Sequence, residues 1–292
     1  MLHLLKFFGS MFLAAACAAA CAAACAAQDF HVPESAIAGN EATISTSGSG
    51  NATFYLIGPG VSRKTDVTLG QEVNLAAQDL RNAGDYLAIV CSGTCHGSNF
   101  YVSAAKPSII TFLVHPSRVP VGQGNAVSGV ALPFDQHHNL VLTTQNVSFQ
   151  LTAKDSSLWS HAAQTQNGVA WFRTASGKSA GPVQVVASLG DLTSRRVLQQ
   201  VASDPCNLRI TGQRTKTGIL VQTEPVRDCA GNVVSDGTIV TFTATGSQGT
   251  GTVDAPIKQG IARAQIDAPG AAEISVASGV VMGNEIHIGA QP

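Results

Sequence analysis

From Gln28 onward, apolar residues recur mostly at every second position, in short runs broken by Gly, Pro, Asn and Asp. In Val147-Ser148-Phe149-Gln150-Leu151-Thr152 the apolar side chains fall on one face and the polar ones on the other. Thr238-Ile239-Val240-Thr241-Phe242-Thr243-Ala244 repeats the pattern, with Val240, Phe242 and Ala244 expected inward. Alternation of this kind predicts half-buried strands, because successive side chains leave a strand on opposite faces. No long stretch shows the 3.6-residue period of an amphipathic helix. Turn signals at intervals of roughly ten residues then predict packed antiparallel sheets.

Residues 1–27 depart from this pattern. Lys6 is followed by Phe7-Phe8-Gly9 and an uncharged Ala-Cys run to Ala27. A basic start, an apolar middle and a small-residue end predict a secretory signal, cut near Ala27 to leave Gln28 as the first mature residue. The apolar run is also near the length of a membrane span, so an uncut anchor stands as the alternative. Cys17, Cys21 and Cys25 read as small apolar filler. The Ala-Ala-Ala-Cys segments also resemble a bacterial lipobox, although Ala14 stands where Leu is usual three residues before Cys17.

An internal repeat organises the rest. Asp135, Asn139, Val147 and Phe149 have counterparts Asp228, Asn232, Val240 and Phe242, all at a spacing of 93 residues. Gly168-Val169-Ala170 matches Gly260-Ile261-Ala262, and Gly181-x-Val183-x-Val185 is echoed by Gly270-x-Ala272-x-Ile274. A period of this size is that of one β-sandwich, not of a solenoid turn. In residues 28–106 the order Asp79, Ala83-Gly84-x-Tyr86 matches the tyrosine corner of immunoglobulin folds. Ala88 stands where immunoglobulins carry a Cys, so the usual bridge between sheets is not expected.

The order Asp-x-x-x-Asn, V-x-F, G-[VI]-A and then Gly before alternating apolar residues resembles the bacterial immunoglobulin-like group 1 domain of invasin and intimin type surface proteins. The match covers roughly residues 107–292 and is clearest over 228–246 and 259–266. His138 replaces the Gly that usually precedes the Asn, which predicts a wider or strained turn. The resulting expectation is an all-β chain of three tandem immunoglobulin-like sandwiches after a signal peptide. They span 28–106, 107–203 and 204–292, with linkers at Lys106-Pro107-Ser108 and Ala202-Ser203-Asp204-Pro205. The resemblance implies a stalk, adhesion or scaffolding role.

Composition narrows the function classes. Lys and Arg total 17 against 18 Asp and Glu, a net charge of −1. A nucleic-acid partner is not expected, because displacing counterions needs a basic surface. A chain that is 45% hydrophobic and 12% charged is also no disordered segment. Four cysteines follow the leader and allow three pairings. Pairing Cys91 with Cys95 and Cys206 with Cys229 keeps each bridge inside one domain. The chain-entropy model gives such loops about 2 and about 3 kcal/mol.

Cys91-Ser-Gly-Thr-Cys95-His96 spaces its cysteines by three residues where covalent haem uses two, so no haem is expected. His137-His138 reads as a polar loop, and His31, His115, His161 and His287 lack ligand-spaced neighbours. Asp135 and Asp228 read as turn builders, with calcium between domains as a second reading. Asn51-Ala-Thr53 and Asn146-Val-Ser148 match the glycosylation pattern and are taken as coincidences.

No G-x-S-x-G, H-E-x-x-H or phosphate-loop motif is present, so neither an enzyme nor a cofactor or metal is expected. The end at Gln291-Pro292 shows no terminal aromatic strand or sorting signal, which points to a periplasmic, secreted or cell-surface protein rather than a complete autotransporter-like adhesin. Its partner would be a protein or a glycan, with membrane contact only through a lipid or an uncut leader. A carbohydrate- or polymer-binding module is the alternative function. For it Trp159, in a polar stretch, is the expected exposed ligand contact, whereas Trp171, within an alternating strand, is expected in the core.

Overall fold

The computed structural model describes residues 30–153 and 156–290, so the leader, its three cysteines and the cleavage point near Ala27 lie outside the described residues. Every regular element among the described residues is a strand, and the strands form three β-sandwiches, each with its own hydrophobic core. The chain divides into two compact units. The described residues up to Ile109 associate with Pro133–Leu142, and Ile110–Leu132 associate with the described residues from Thr143 onward.

The first sandwich sets a five-stranded sheet, in the order Ala36–Ile37, Thr94–Ser103, Gly84–Ser92, Asn51–Gly58 and Val61–Thr68, over a sheet of Phe30–His31, Ala42–Thr46 and Glu72–Leu75. Alternation decides what is buried. Ala52, Phe54 and Leu56 point inward from one strand and meet Ile44, Leu75 and Tyr86. The Tyr86 hydroxyl donates to the carbonyl of Asn82 at 2.8 Å, closing the corner on itself, and its ring stacks on Phe100 at 5.5 Å. Burial raises the Tyr86 pKa above its ordinary value.

The second sandwich packs Arg118–Pro120, Leu192–Val201, Gly181–Leu189, Asn146–Ala153 and Ser156–Gln164 against Ala170–Thr174, Val127–Phe134 and Ile109–His115. Its centre is aromatic. Phe149 lies 5.8 Å from Phe112 and 4.9 Å from Phe172, ring centre to ring centre. Gly129 lies directly beneath, where a Cβ would fall 2.4 Å from the Phe172 ring.

The third sandwich repeats the arrangement around Val240, Phe242, Ile219 and Ile274. Val147 and Phe149 in one repeat, and Val240 and Phe242 in the next, are all buried on the same face of the corresponding strand. Even the tight turns coincide. Asn167-Gly168 and Gln259-Gly260 both hold two positive φ angles, 50° and 78° against 52° and 80°. Each closes the same pair of backbone bonds, Gln166 with Val169 and Lys258 with Ile261. Two positive φ values at the central residues match the right-handed twist of the flanking strands.

Candidate functional site

The most constructed polar feature of the fold is the Asp-x-x-x-Asn turn, which occurs twice. Asp135 and Asp228 are 0% and 4% exposed, an arrangement that a carboxylate tolerates only when its oxygens are fully hydrogen-bonded. Asp135 Oδ1 accepts the N–H groups of His137 and Asn139 at 2.8 and 2.9 Å. Its Oδ2 accepts the Ala105 N–H and the Asn139 side-chain amide, both at 2.9 Å. Asp228 repeats this set with Ala230 and Asn232 on Oδ1 at 2.9 and 2.8 Å, and with Ser203 and the Asn232 amide on Oδ2 at 3.1 and 3.0 Å. Burial pushes both carboxyl pKa values up, but the hydrogen bonds outweigh it and hold both below the ordinary value.

Each turn carries its Asn side chain to a corner of another segment. In the first unit Asn139 Oδ1 accepts the Ala83 N–H, and its Nδ2 donates to the Arg81 carbonyl, both at 2.8 Å. In the second unit Asn232 Oδ1 accepts the Ala180 N–H, and its Nδ2 donates to the Lys178 carbonyl, again both at 2.8 Å. Ala83-Gly84 and Ala180-Gly181 occupy the same corner, and the two glycines hold φ of 141° and 140°. One carboxamide thus satisfies a carbonyl and the N–H two residues later, in the same way at both places. This pairing is a lock between turn and corner.

The third sandwich lacks the receiving half. Gly270 corresponds to Gly181, which puts Pro269 where Ala83 and Ala180 stand, and proline has no N–H to donate. Arg214 instead fills that corner, donating to the carbonyls of Ala268, Gly270 and Gly289.

The turn at His138 is strained rather than wider. His138 holds φ of 65° and donates its N–H to the Asp135 carbonyl at 3.1 Å, as Gly231, at φ 86°, does to Asp228 at 3.0 Å. His137 lies over Gly39, where an added Cβ would sit 2.1 Å from its Nε2. Among the described residues no group of three His, Cys, Asp or Glu is placed to hold a metal ion. The two carboxylates face N–H donors, the surroundings of an anion rather than of a cation's ligand.

Cys91 and Cys95 are disulfide-bonded across the hairpin end, where the two residues face each other in the strand register. Cys206 and Cys229 form the second bridge, between the strand Pro205–Asn207 and the Asp228 turn.

The two tryptophans exchange the places expected from their sequence surroundings. Trp171 is 64% exposed, because its neighbours Ala170 and Phe172 take the inward positions of the strand. Membership of an alternating strand buries only every other residue, and Trp171 falls on the outer set, opposite Val130. Trp159 is half-buried rather than exposed, with its ring 5.0 Å from Phe172 and 5.5 Å from His161. It lines a cavity of about 510 Å³ with Leu151, Ala153, Ala180, Pro182 and Gln200. A larger, polar cleft of about 780 Å³ opens in the first sandwich between the strands Val61–Thr68 and Glu72–Leu75. Two of its charged groups are engaged, Arg63 with Asp79 at 2.5 Å and Asp66 with the Thr53 hydroxyl at 3.4 Å.

With this geometry in place, the likeness to solved structures is informative. The fold is similar to that of FdeC. FdeC, an adhesin of Escherichia coli, matches with a TM-score of 0.62 at 14% identity, over 90% of this chain and 96% of that one. Invasin, a bacterial integrin-binding protein, matches with a TM-score of 0.51 at 11% identity, over 90% of this chain and 60% of invasin. At these identities the likeness is one of fold. No protein-family model and no curated protein sequence matches the chain.

Sequence reasoning found Asp135, Asn139, Asp228 and Asn232 as turn residues but missed that both Asn side chains are cross-links. The available signal was the recurrence of Ala-Gly at 83–84 and 180–181 together with an Asn that no strand needs.

Proposed function

We propose that the chain is an exported, non-enzymatic protein of the cell envelope or the extracellular space, with a structural, stalk or adhesion role. In this reading residues 1–27 direct export. Residues 28–106 form an immunoglobulin-like domain, and 107–203 and 204–292 are domains of the bacterial immunoglobulin-like group 1 kind. The observation that carries the reading is the lock, used twice on the same atoms. A buried carboxylate is costly, and here both serve to fasten a turn rather than to furnish a cleft.

Two further points support it. FdeC is an adhesin and invasin binds integrin, which suggests a protein or glycan surface partner for a chain of the same fold. Disulfides suit an oxidising compartment outside the cytoplasm. No helix among the described residues is long and apolar enough to cross a membrane, and the reading places membrane contact in the leader or a lipid on it.

Trp171 favours a second reading, a carbohydrate- or polymer-binding module. It stands 64% exposed on the same sheet as Leu113, itself 59% exposed, and a bare indole on a sheet face can stack on a sugar ring. One experiment separates the two: retention of the purified protein on immobilised polysaccharides, alongside adhesion of protein-coated beads to cultured cells. Saturable bead adhesion with no polysaccharide retention is the expected result. Polysaccharide retention that falls about tenfold or more with Trp171→Ala, the size of an interfacial Trp hot spot, and stays unchanged with Trp159→Ala would replace the leading reading by the second.

A further inference from the structure

The two locks use the same atoms but are not built to the same strength. At the position before the Asn, the first turn holds His138 at φ 65°, whereas the second holds Gly231 at φ 86°. Left-handed backbone is disfavoured for any residue with a Cβ and close to neutral for glycine. The second turn has an additional fastening at that residue, where Arg227 Nη1 donates to the Gly231 carbonyl at 2.7 Å. Phe134 occupies the place of Arg227 in the first turn and has no donor to offer.

The larger difference is covalent. Cys229 follows Asp228 directly, and Cys206 lies three residues beyond Ser203, whose N–H Asp228 accepts. The bridge therefore ties together the two segments that the Asp228 carboxylate also joins. Their strands, Pro205–Asn207 and Arg227–Asp228, are paired besides. In the first turn Gln136 follows Asp135, so the segment that donates through Ala105 is joined to that turn by backbone pairing and not by a covalent bridge. Ser108 N–H donates to the Phe134 carbonyl at 2.9 Å, and the strand Ile109–His115 pairs with Val127–Phe134. The first turn's own additional contacts are the half-buried His137 ring over Gly39 and a hydrogen bond between the Gln136 amide and that ring at 3.3 Å.

We propose that the locks are graded. The Asp135–Asn139 lock is the compliant one, opening locally while the disulfide-braced Asp228–Asn232 lock remains closed. A chain under pull would give first at Arg81–Ala83. This inference does not depend on what the chain binds.

Amide hydrogen exchange on the full oxidised chain reads it directly, through the Ala83 and Ala180 N–H groups that the two Asn side chains accept. After correction for intrinsic rates, Ala83 is expected to exchange about tenfold faster or more than Ala180, as for an opening that is local rather than global. His138→Gly is expected to slow Ala83 about fivefold by relieving the left-handed side chain, with Ala180 unchanged. Cys206→Ser with Cys229→Ser is expected to speed Ala180 about tenfold or more, towards Ala83, because the tie on that turn is gone. Equal protection at the two sites, or faster exchange at Ala180, in the unsubstituted chain would overturn the grading. So would a His138→Gly chain in which Ala83 exchanges as before, and that arm holds even where the double cysteine variant does not fold.

Discussion

Replacing Asp228 with asparagine is expected to destabilise the third sandwich by about 3 kcal/mol, although the two side chains are nearly the same size. The substitution removes the charge and turns one of the two acceptor oxygens into a donor. That donor then faces N–H groups of Ser203, Ala230 or Asn232, which the carboxylate satisfies in the native turn. A hydrogen bond to a charged group contributes about 1.5–3 kcal/mol, and an orphaned buried donor costs about 1–3 kcal/mol. Urea unfolding followed by exchange of third-sandwich amides would measure the loss. A change under about 1 kcal/mol would mean that the turn tolerates the mismatch by taking in water.

Acid is expected to act on the same groups. Both carboxyl pKa values lie below the ordinary value in the folded chain, so the folded state holds fewer protons than the unfolded one as pH falls. Their contribution to stability is complete above the unfolded carboxyl pKa, about 3.9. It then declines as pH falls through the lower folded values. The Asp228→Asn variant should lose the Asp228 share of this acid sensitivity and keep the share of Asp135.

A second large effect is expected in the core. Phe149→Ala should cost about 3–5 kcal/mol, the range for truncating a buried Phe. The ring is 1% exposed and stands between Phe112 and Phe172, so its removal leaves a cavity lined by rings that cannot collapse into it. Gly129 makes collapse harder, since Phe172 already rests on it. Trp159, tilted against Phe172 with ring centres 5.0 Å apart, offers the optical readout in a Trp171→Phe background, where its emission should shift to the red with the urea midpoint lowered. Phe149→Leu should recover a large part of the loss by refilling the site, and equal losses for Ala and Leu would contradict the packing argument.

The contrast between the two aromatic positions shows what a sequence of this kind makes legible. Period-two alternation placed Val147, Phe149, Val240 and Phe242 inward, because a strand in a sandwich has one face for the core and one for solvent. The same rule, applied by composition instead of parity, misplaced both tryptophans. Trp171 lies one residue from each of two inward side chains, so its parity puts it outside. Trp159 lies among polar residues but faces the core side of its strand, across from Leu151.

The Asp turns were legible as turns because their spacing repeats and Asp bonds its own backbone locally. Their reach to Arg81–Ala83 and Lys178–Ala180 was not, since a side chain's partner some 50 residues away in sequence is set by how segments pack. Pro269 shows the same limit from the other side. As a residue it reads as an ordinary turn proline, and only the corner geometry shows that it removes a donor.

The most direct test of the lock is a double-mutant cycle between Asn232→Ala and Ala180→Pro, the second copying into this corner the residue that the third sandwich already carries at position 269. Each change alone removes the bond between Asn232 Oδ1 and the Ala180 N–H, so together they should cost less than their sum, with a coupling of about 1 kcal/mol, typical of a single hydrogen bond. Strictly additive losses in the urea midpoints would show that the two groups do not act on each other in solution, and would contradict the account.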